Sequence, residues 1–253
     1  MNTPSPIPSL RAVAFDLDDT LYLERDYVRS GYRAVAEHLR RTLGTAEAYE
    51  EHLWRSFTEG RGAKAFQELG KSGLLPFPVA ENGDCTDFPR VSVPALVQVY
   101  RNHRPAIQPF PWVAPLLERL RVRCRLGLLS DGYLPAQRLK LEALGLAHFF
   151  DAVVWTEELG RQAWKPSQEG FLHLARDLGL GKRMNRRPPI AYVADNPAKD
   201  FLAPNELGWV SIQYTPPGAI HADAAAPPEG KPQFVVASSE ELRSLLLPEE
   251  SGR

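Results

Sequence analysis

Cysteine is nearly absent: Cys85 and Cys124 lie far apart in unlike contexts, which excludes a disulfide framework and a thiolate metal centre. The six histidines show no ligand spacing, so an imidazole-bound metal is excluded as well. A formal charge of -1 leaves no electrostatic footprint for nucleic acid or for an anionic membrane. No apolar run approaches membrane-spanning length, and the opening MNTPSPIPSL has neither a basic nor an apolar leader region. The expectation is a soluble protein of a reducing cytoplasm. A phosphate-binding P-loop is also missing, because Gly181-Lys182 has Arg176 where the first glycine belongs and Arg183 where Ser or Thr is needed. No internal repeat is visible.

What is present suffices for a folded core. Of 253 residues, 43% are hydrophobic and 24% charged, enough for one sizeable core and a smaller domain. The chain is organised around RAVAFDLDDT at 11–20, where a short apolar run stops at Asp16, Asp18 and Asp19, followed by Thr20. Such a run reads as a buried strand, and polar residues just past it fall at the carboxyl edge of a sheet, where open α/β sheets bind ligands. Two acids spaced i, i+2 repel each other when ionised, which points to a bound cation or a shared proton. A calcium loop of the EF-hand type does not fit, since Leu21 and Tyr27 stand where Gly and Glu are required. Taken alone, the segment also fits a solvated acidic loop; the rest of the chain weighs against that.

After Thr20, residues 26–43 carry apolar side chains at helical spacing, and 46–59, 63–69 and 93–102 read as further helices around a Pro- and Gly-dense stretch at 70–89. From Pro109 the pattern changes to strands (124–129, 152–155, 190–194, 209–213, 234–237) alternating with helices (113–120, 134–144, 168–178, 198–207, 239–247). Several of these helices end at glycine. That alternation predicts parallel βαβ units, hence an α/β fold with a Rossmann-like parallel sheet. Residues 1–20 and 106–253 then form the core, and 21–105 an inserted helical cap over the sheet edge. A Pro- and Ala-rich stretch at 215–232 carries no pattern beyond its composition.

Polar residues end three strands: Asp16 and Asp18, Ser130, and Asp195 with Asp200. Lys165 precedes a helix. The separation is 114 residues from Asp16 to Ser130, then 35 to Lys165 and 30 to Asp195, so one βαβ step carries the insertion and the others do not. Acids supply hard oxygen ligands for Mg2+, which shares its sphere with waters and phosphate oxygens. A hydroxyl, backbone N–H groups and a lysine suit phosphoryl oxygens, and a second acid suits general acid and base work. The pattern asks for a phosphoryl group.

The motifs DLDDT at 16–20, LLSDG at 128–132, WKPS at 164–167 and ADNPAKD at 194–200 resemble those of the haloacid dehalogenase superfamily, specifically its phosphatases with a helical C1-type cap inserted after the first motif. The resemblance implies hydrolysis of a small phosphorylated metabolite, such as a sugar phosphate, a nucleotide or a phosphorylated acid. It implies Asp16 as the nucleophile that becomes an aspartyl-phosphate, and Asp18 as acid, then base. Ser130 and the N–H of Asp131 would hold phosphoryl oxygens, and Lys165 would bridge phosphate and Asp16. Mg2+ would lie on Asp16, the Asp18 carbonyl and Asp195, with Thr20 and Asp200 behind them. Two positions depart from the family pattern: Ala194 replaces a glycine, and Asp131 replaces the common asparagine, adding an acid near the phosphate. A carbon–halogen hydrolase is disfavoured by the acid at position 18. The rival of another class is a catalytically silent binding or regulatory protein on the same fold.

Other charged and aromatic groups have plainer readings. Lys182, Arg183, Arg186 and Arg187 read as a solvated loop, as do Arg25, Arg29, Arg55 and Arg61 on helix surfaces, while Tyr22, Tyr32, Trp54 and Phe57 read as cap core.

Overall fold

The computed structural model describes residues 6–7, 9–76, 91–181 and 190–247. Cys85 and the Lys182, Arg183, Arg186 and Arg187 run lie outside the described residues. The chain divides into two compact units, one of Met1–Arg25, Gln108–Tyr133 and Leu144–Arg253, the other of Asp26–Ile107 and Leu134–Ala143.

The first unit is built on six parallel strands: β1 Ala12–Phe15, β2 Arg125–Ser130, β3 Ala152–Trp155, β4 Ile190–Ala194, β5 Val210–Tyr214 and β6 Phe234–Val236. Their order is β3-β2-β1-β4-β5-β6, which makes β1 the strand from which the sheet winds outward in both directions. A crevice opens at the carboxyl end of such a switch point. The register levels Phe15 with Leu128 of β2 and Val193 of β4. Asp16, one residue on, therefore stands between the two strand ends that carry Ser130 and Asp195.

Alternation along the strands sends Ala12 and Ala14 to one face, where they pack with Tyr192, Phe171 and Leu174. Phe171 and Leu174 belong to the helix Glu169–Asp177, which lies so close that a Cβ on Gly127 would stand 3.0 Å from Leu174. The expected helix at 198–207 is shorter, Leu202–Glu206. Asn196 Oδ1 accepts from Ala198 N (3.1 Å) and Asp200 Oδ2 from Asn196 N (3.0 Å), so these side chains hold residues 196–200 in a turn instead.

The second unit contains α1 from Asp26 onward (α1 is Glu24–Leu43), α2 Tyr49–Thr58, α3 Ala65–Lys71 and α4 Val93–Asn102. The apolar stripe of α1, with Val28, Tyr32, Val35, Ala36 and Leu39, packs with Leu53, Phe66, Leu69 and Leu96. Gly31 in that stripe is required, because a Cβ there would enter the ring of Tyr100. Residues 134–143, read from the sequence as one more step of the strand–helix alternation, cluster with this helical unit. Their helix, α6 (Ala136–Leu144), carries the buried Lys140, whose Nζ rests 4.1 Å from the centre of the Tyr27 ring. Among the described residues no helix is long and apolar enough to cross a membrane.

Candidate active site

Asp16 leaves β1 with its N–H donated to Val193 O of β4 (2.9 Å), so the sheet itself aims its carboxylate out of the carboxyl edge. Lys165 Nζ donates to Asp16 Oδ1 (2.8 Å) and to Tyr192 Oη (3.1 Å), and stands 2.6 Å from Asp200 Oδ1. The lysine side chain is wholly buried. Burial alone would lower its pKa, but Asp16 and Asp200 hold it well above its ordinary value, so the ammonium stays charged.

Carboxyl oxygens of Asp16, Asp195 and Asp200 lie within 4.8 Å of one another, all buried. Burial, opposed by Lys165 and assisted by Asp200, raises Asp16 to about 6. Burial and the neighbouring Asp200 and Asp16 raise Asp195 to about 9. Asp195 Oδ2 is buried with no hydrogen-bond partner among the described residues. Three clustered acids facing one contacting lysine, with an orphaned oxygen among them, fit a hard divalent cation. Asp200, expected behind the ligands, thus shares the cluster and the lysine.

Asp18 is half-buried, and its Oδ1 accepts a hydrogen bond from Tyr22 Oη. Tyr22 lies in the α/β unit, which corrects the expectation of a cap-core residue. Asp19 takes a left-handed conformation (φ 49°) and is buried. Its Oδ1 accepts from Glu24 N (2.8 Å) and its Oδ2 from Ile220 N (2.7 Å), tying the loop after β1 to the Pro- and Ala-rich stretch. Thr20 is fully buried, and its Oγ1 meets no partner among the described residues.

Ser130, buried, ends β2. The Asp131 carboxylate turns toward protein donors: Thr156 Oγ1 donates to Oδ1 (2.8 Å) and Lys165 N to Oδ2 (3.1 Å), with Lys199 Nζ 3.8 Å from Oδ2. These contacts compensate the extra charge that distinguishes Asp131 from an asparagine. Sequence reasoning missed Lys199, Tyr192 and Thr156. Lys199 was visible inside ADNPAKD, whereas Tyr192 and Thr156 sit in or beside strands and carry no local signal. Ala194 is fully buried, where a small side chain fits.

A family model for haloacid dehalogenase-like hydrolases matches residues 10–208. The chain is 32% identical over 210 residues to a glyceraldehyde 3-phosphate phosphatase of Methanopyrus kandleri, covering 81% of this chain and 83% of that one. It is 28% identical over 139 residues to the pyrimidine 5'-nucleotidase YjjG of Escherichia coli, covering 54% and 56%. Among solved structures, a putative beta-phosphoglucomutase of Thermotoga maritima shares the fold at TM-score 0.60 and 19% identity, over 92% of this chain and 97% of that one.

Proposed function

Because the chain belongs to the haloacid dehalogenase-like hydrolases, we propose that it is an Mg2+-dependent phosphomonoesterase of small phosphorylated metabolites, working through an aspartyl-phosphate on Asp16. The observation that carries this reading is Lys165, held between Asp16 and Asp200 beside the triad of buried acids. The ammonium fixes Oδ1 of Asp16 and offers positive charge where a phosphoryl oxygen would lie. Asp16, Asp195 and Asp200 would hold the metal, which when bound offsets the charge of the acids and of the phosphate.

In the proposed reaction a carboxylate oxygen of Asp16 bonds to phosphorus as the ester P–O bond breaks, and Asp18 gives its proton to the leaving oxygen. A water then attacks the same phosphorus and yields its proton to Asp18. Phosphate departs and the Asp16 carboxylate is restored. Tyr22 orients Asp18, and Ser130 with the Asp131 N–H receives phosphoryl oxygens. The α/β unit does this chemistry, and the helical insertion contributes substrate choice. A cytoplasmic setting belongs to the same proposal.

The test is a panel of phosphorylated metabolites that includes glyceraldehyde 3-phosphate and pyrimidine nucleotides, assayed with Mg2+, with Ca2+ and with excess chelator. Turnover is expected with Mg2+ and is lost on chelation. Ca2+ takes about 6–8 oxygens and readily binds carboxylates through both, so it should compete without supporting turnover. Full activity in chelator would sink the metal assignment, and no turnover of any ester would favour the silent-protein reading.

A further inference from the structure

The opposite, amino edge of the sheet holds a feature that the proposed reaction does not use. A depression of about 420 Å³ is lined by Arg11, Arg121, Arg123 and Arg125, with Asp151 as the one acid. Arg125 starts β2 and Ser130 ends it, so the depression lies roughly 17 Å from the acids, at ~3.3 Å per strand residue.

Asp151 is already engaged. Its Oδ1 accepts from Arg125 (2.8 Å) and its Oδ2 from Leu126 N (2.8 Å). Its carboxyl lies below the ordinary range, with the Leu126 N–H and the arginines outweighing burial, so it stays ionised. Arg11, Arg121 and Arg123 form no ion pair among the described residues. The lining thus carries net positive charge on groups that repel one another. Arg121 in the last turn of α5 (Val113–Arg121) also suits that helix's dipole, but Arg11, Arg123 and Arg125 are not in that helix.

The backbone presenting these side chains is pinned. Arg123 N donates to Leu120 O (2.8 Å), Arg125 N to Arg11 O (3.0 Å) and Asp151 N to Leu126 O (2.8 Å). The pinned backbone presents exposed guanidinium groups around the depression; such groups match phosphate or carboxylate oxygens in paired hydrogen bonds, and the volume falls in the range of small-ligand sites.

We propose that this depression is a second binding site, for a small polyanion such as a linear triphosphate or a tricarboxylate. A singly charged anion would leave most of the positive charge unmatched. Nucleic acid fits less well, since the chain's net charge is -1 and these arginines are confined to one hollow.

The experiment is calorimetric titration of tripolyphosphate, and separately of citrate, into the metal-free full-length protein at low ionic strength. The expected dissociation constant for one or both is below about 100 µM. Arg121→Glu/Arg123→Glu should weaken it at least ~tenfold and leave phosphatase turnover unchanged, and Arg11→Glu should act the same way should the double variant misfold. A control of equal charge change, Arg40→Glu/Arg41→Glu, should have no effect. Which of the two anions binds more tightly identifies the source chemistry. Millimolar binding of both, equal weakening by the control, or loss through Lys165→Ala in place of the arginine changes would overturn the site. Failure here leaves the catalytic reading untouched, because that reading is tested at the other edge of the sheet.

Discussion

At the carboxyl edge of the α/β unit four charged side chains are buried together: Asp16, Asp195, Asp200 and Lys165 share one small volume. The helical unit buries aromatic rings and neutral polar groups. Tyr27, Tyr32, Phe66 and Tyr100 meet edge-on or tilted at 5.4–6.1 Å, and among its charged residues Lys140 is buried against Tyr27. There, His103 Nδ1 faces Tyr100 O (2.6 Å) and its Nε2 faces Ser30 Oγ (3.0 Å). A carbonyl only accepts, so Nδ1 carries the proton; burial holds the ring's pKa below its ordinary value, which leaves Nε2 unprotonated near neutral pH as the acceptor from the serine. Clustered acids oppose folding and serve chemistry, whereas neutral, matched groups serve folding. Substitutions in the two units should therefore separate activity from stability.

The largest effect is expected from Asp16→Asn. Turnover should fall by more than about a thousandfold, since no other carboxylate occupies the attacking position. In metal-free protein at pH 8 the thermal midpoint should rise: a carboxyl whose pKa is raised to about 6 by folding opposes folding when ionised. A midpoint that drops sharply would show that this edge is held together by its charges, and would break the comparison.

Asp18→Asn comes next, with a loss of roughly 10²–10⁴-fold on alkyl phosphates and much less on an activated aryl phosphate, whose leaving group needs no proton. Equal losses on the two substrates would remove Asp18 from acid catalysis.

In the helical unit, Gly31→Ala should cost about 1–3 kcal/mol in urea unfolding, since the added methyl enters the Tyr100 ring. Activity per folded molecule should hold.

The smallest effect concerns pH. Burial holds His103 below its ordinary value of 6.5, with Lys140 adding to that and the Tyr100 carbonyl opposing it. The unfolded chain thus takes up the proton first, and the stability that the neutral ring contributes is complete above 6.5 and lost as pH falls toward the lower folded value. The difference in urea midpoint between the wild type and His103→Gln should shrink between pH 7.5 and about 5.5. A constant difference would mean that His103 does not titrate in this range.

Much of the site was legible because the chemistry sits at strand ends and strands announce themselves. AVAF before Asp16 and IAYVA before Asp195 are short apolar runs with polar residues directly after, and parallel strands joined by helices place such ends at one edge. The helix expected over 198–207 begins only at Leu202, because the competing bonds of Asn196 and Asp200 are side-chain contacts to backbone that the sequence pattern does not reveal.

The sequence by itself determined the order of the strands along the chain and the acids after the first strand. Only the tertiary structure decided which charges meet. Lys165 and Asp16 are 149 residues apart; Lys165 lies on the connection from β3 to β4, and because β4 pairs with β1 that connection runs back to the edge where Asp16 stands. In the same way α6 clusters with the helices of residues 26–107 although α5 and β2 intervene in the chain, and Asp131 finds Thr156, Lys199 and the Lys165 N–H. The physical reason is that apolar periodicity acts locally and can be read along the chain, whereas the partner of a buried charge is set by which strand ends the sheet brings side by side.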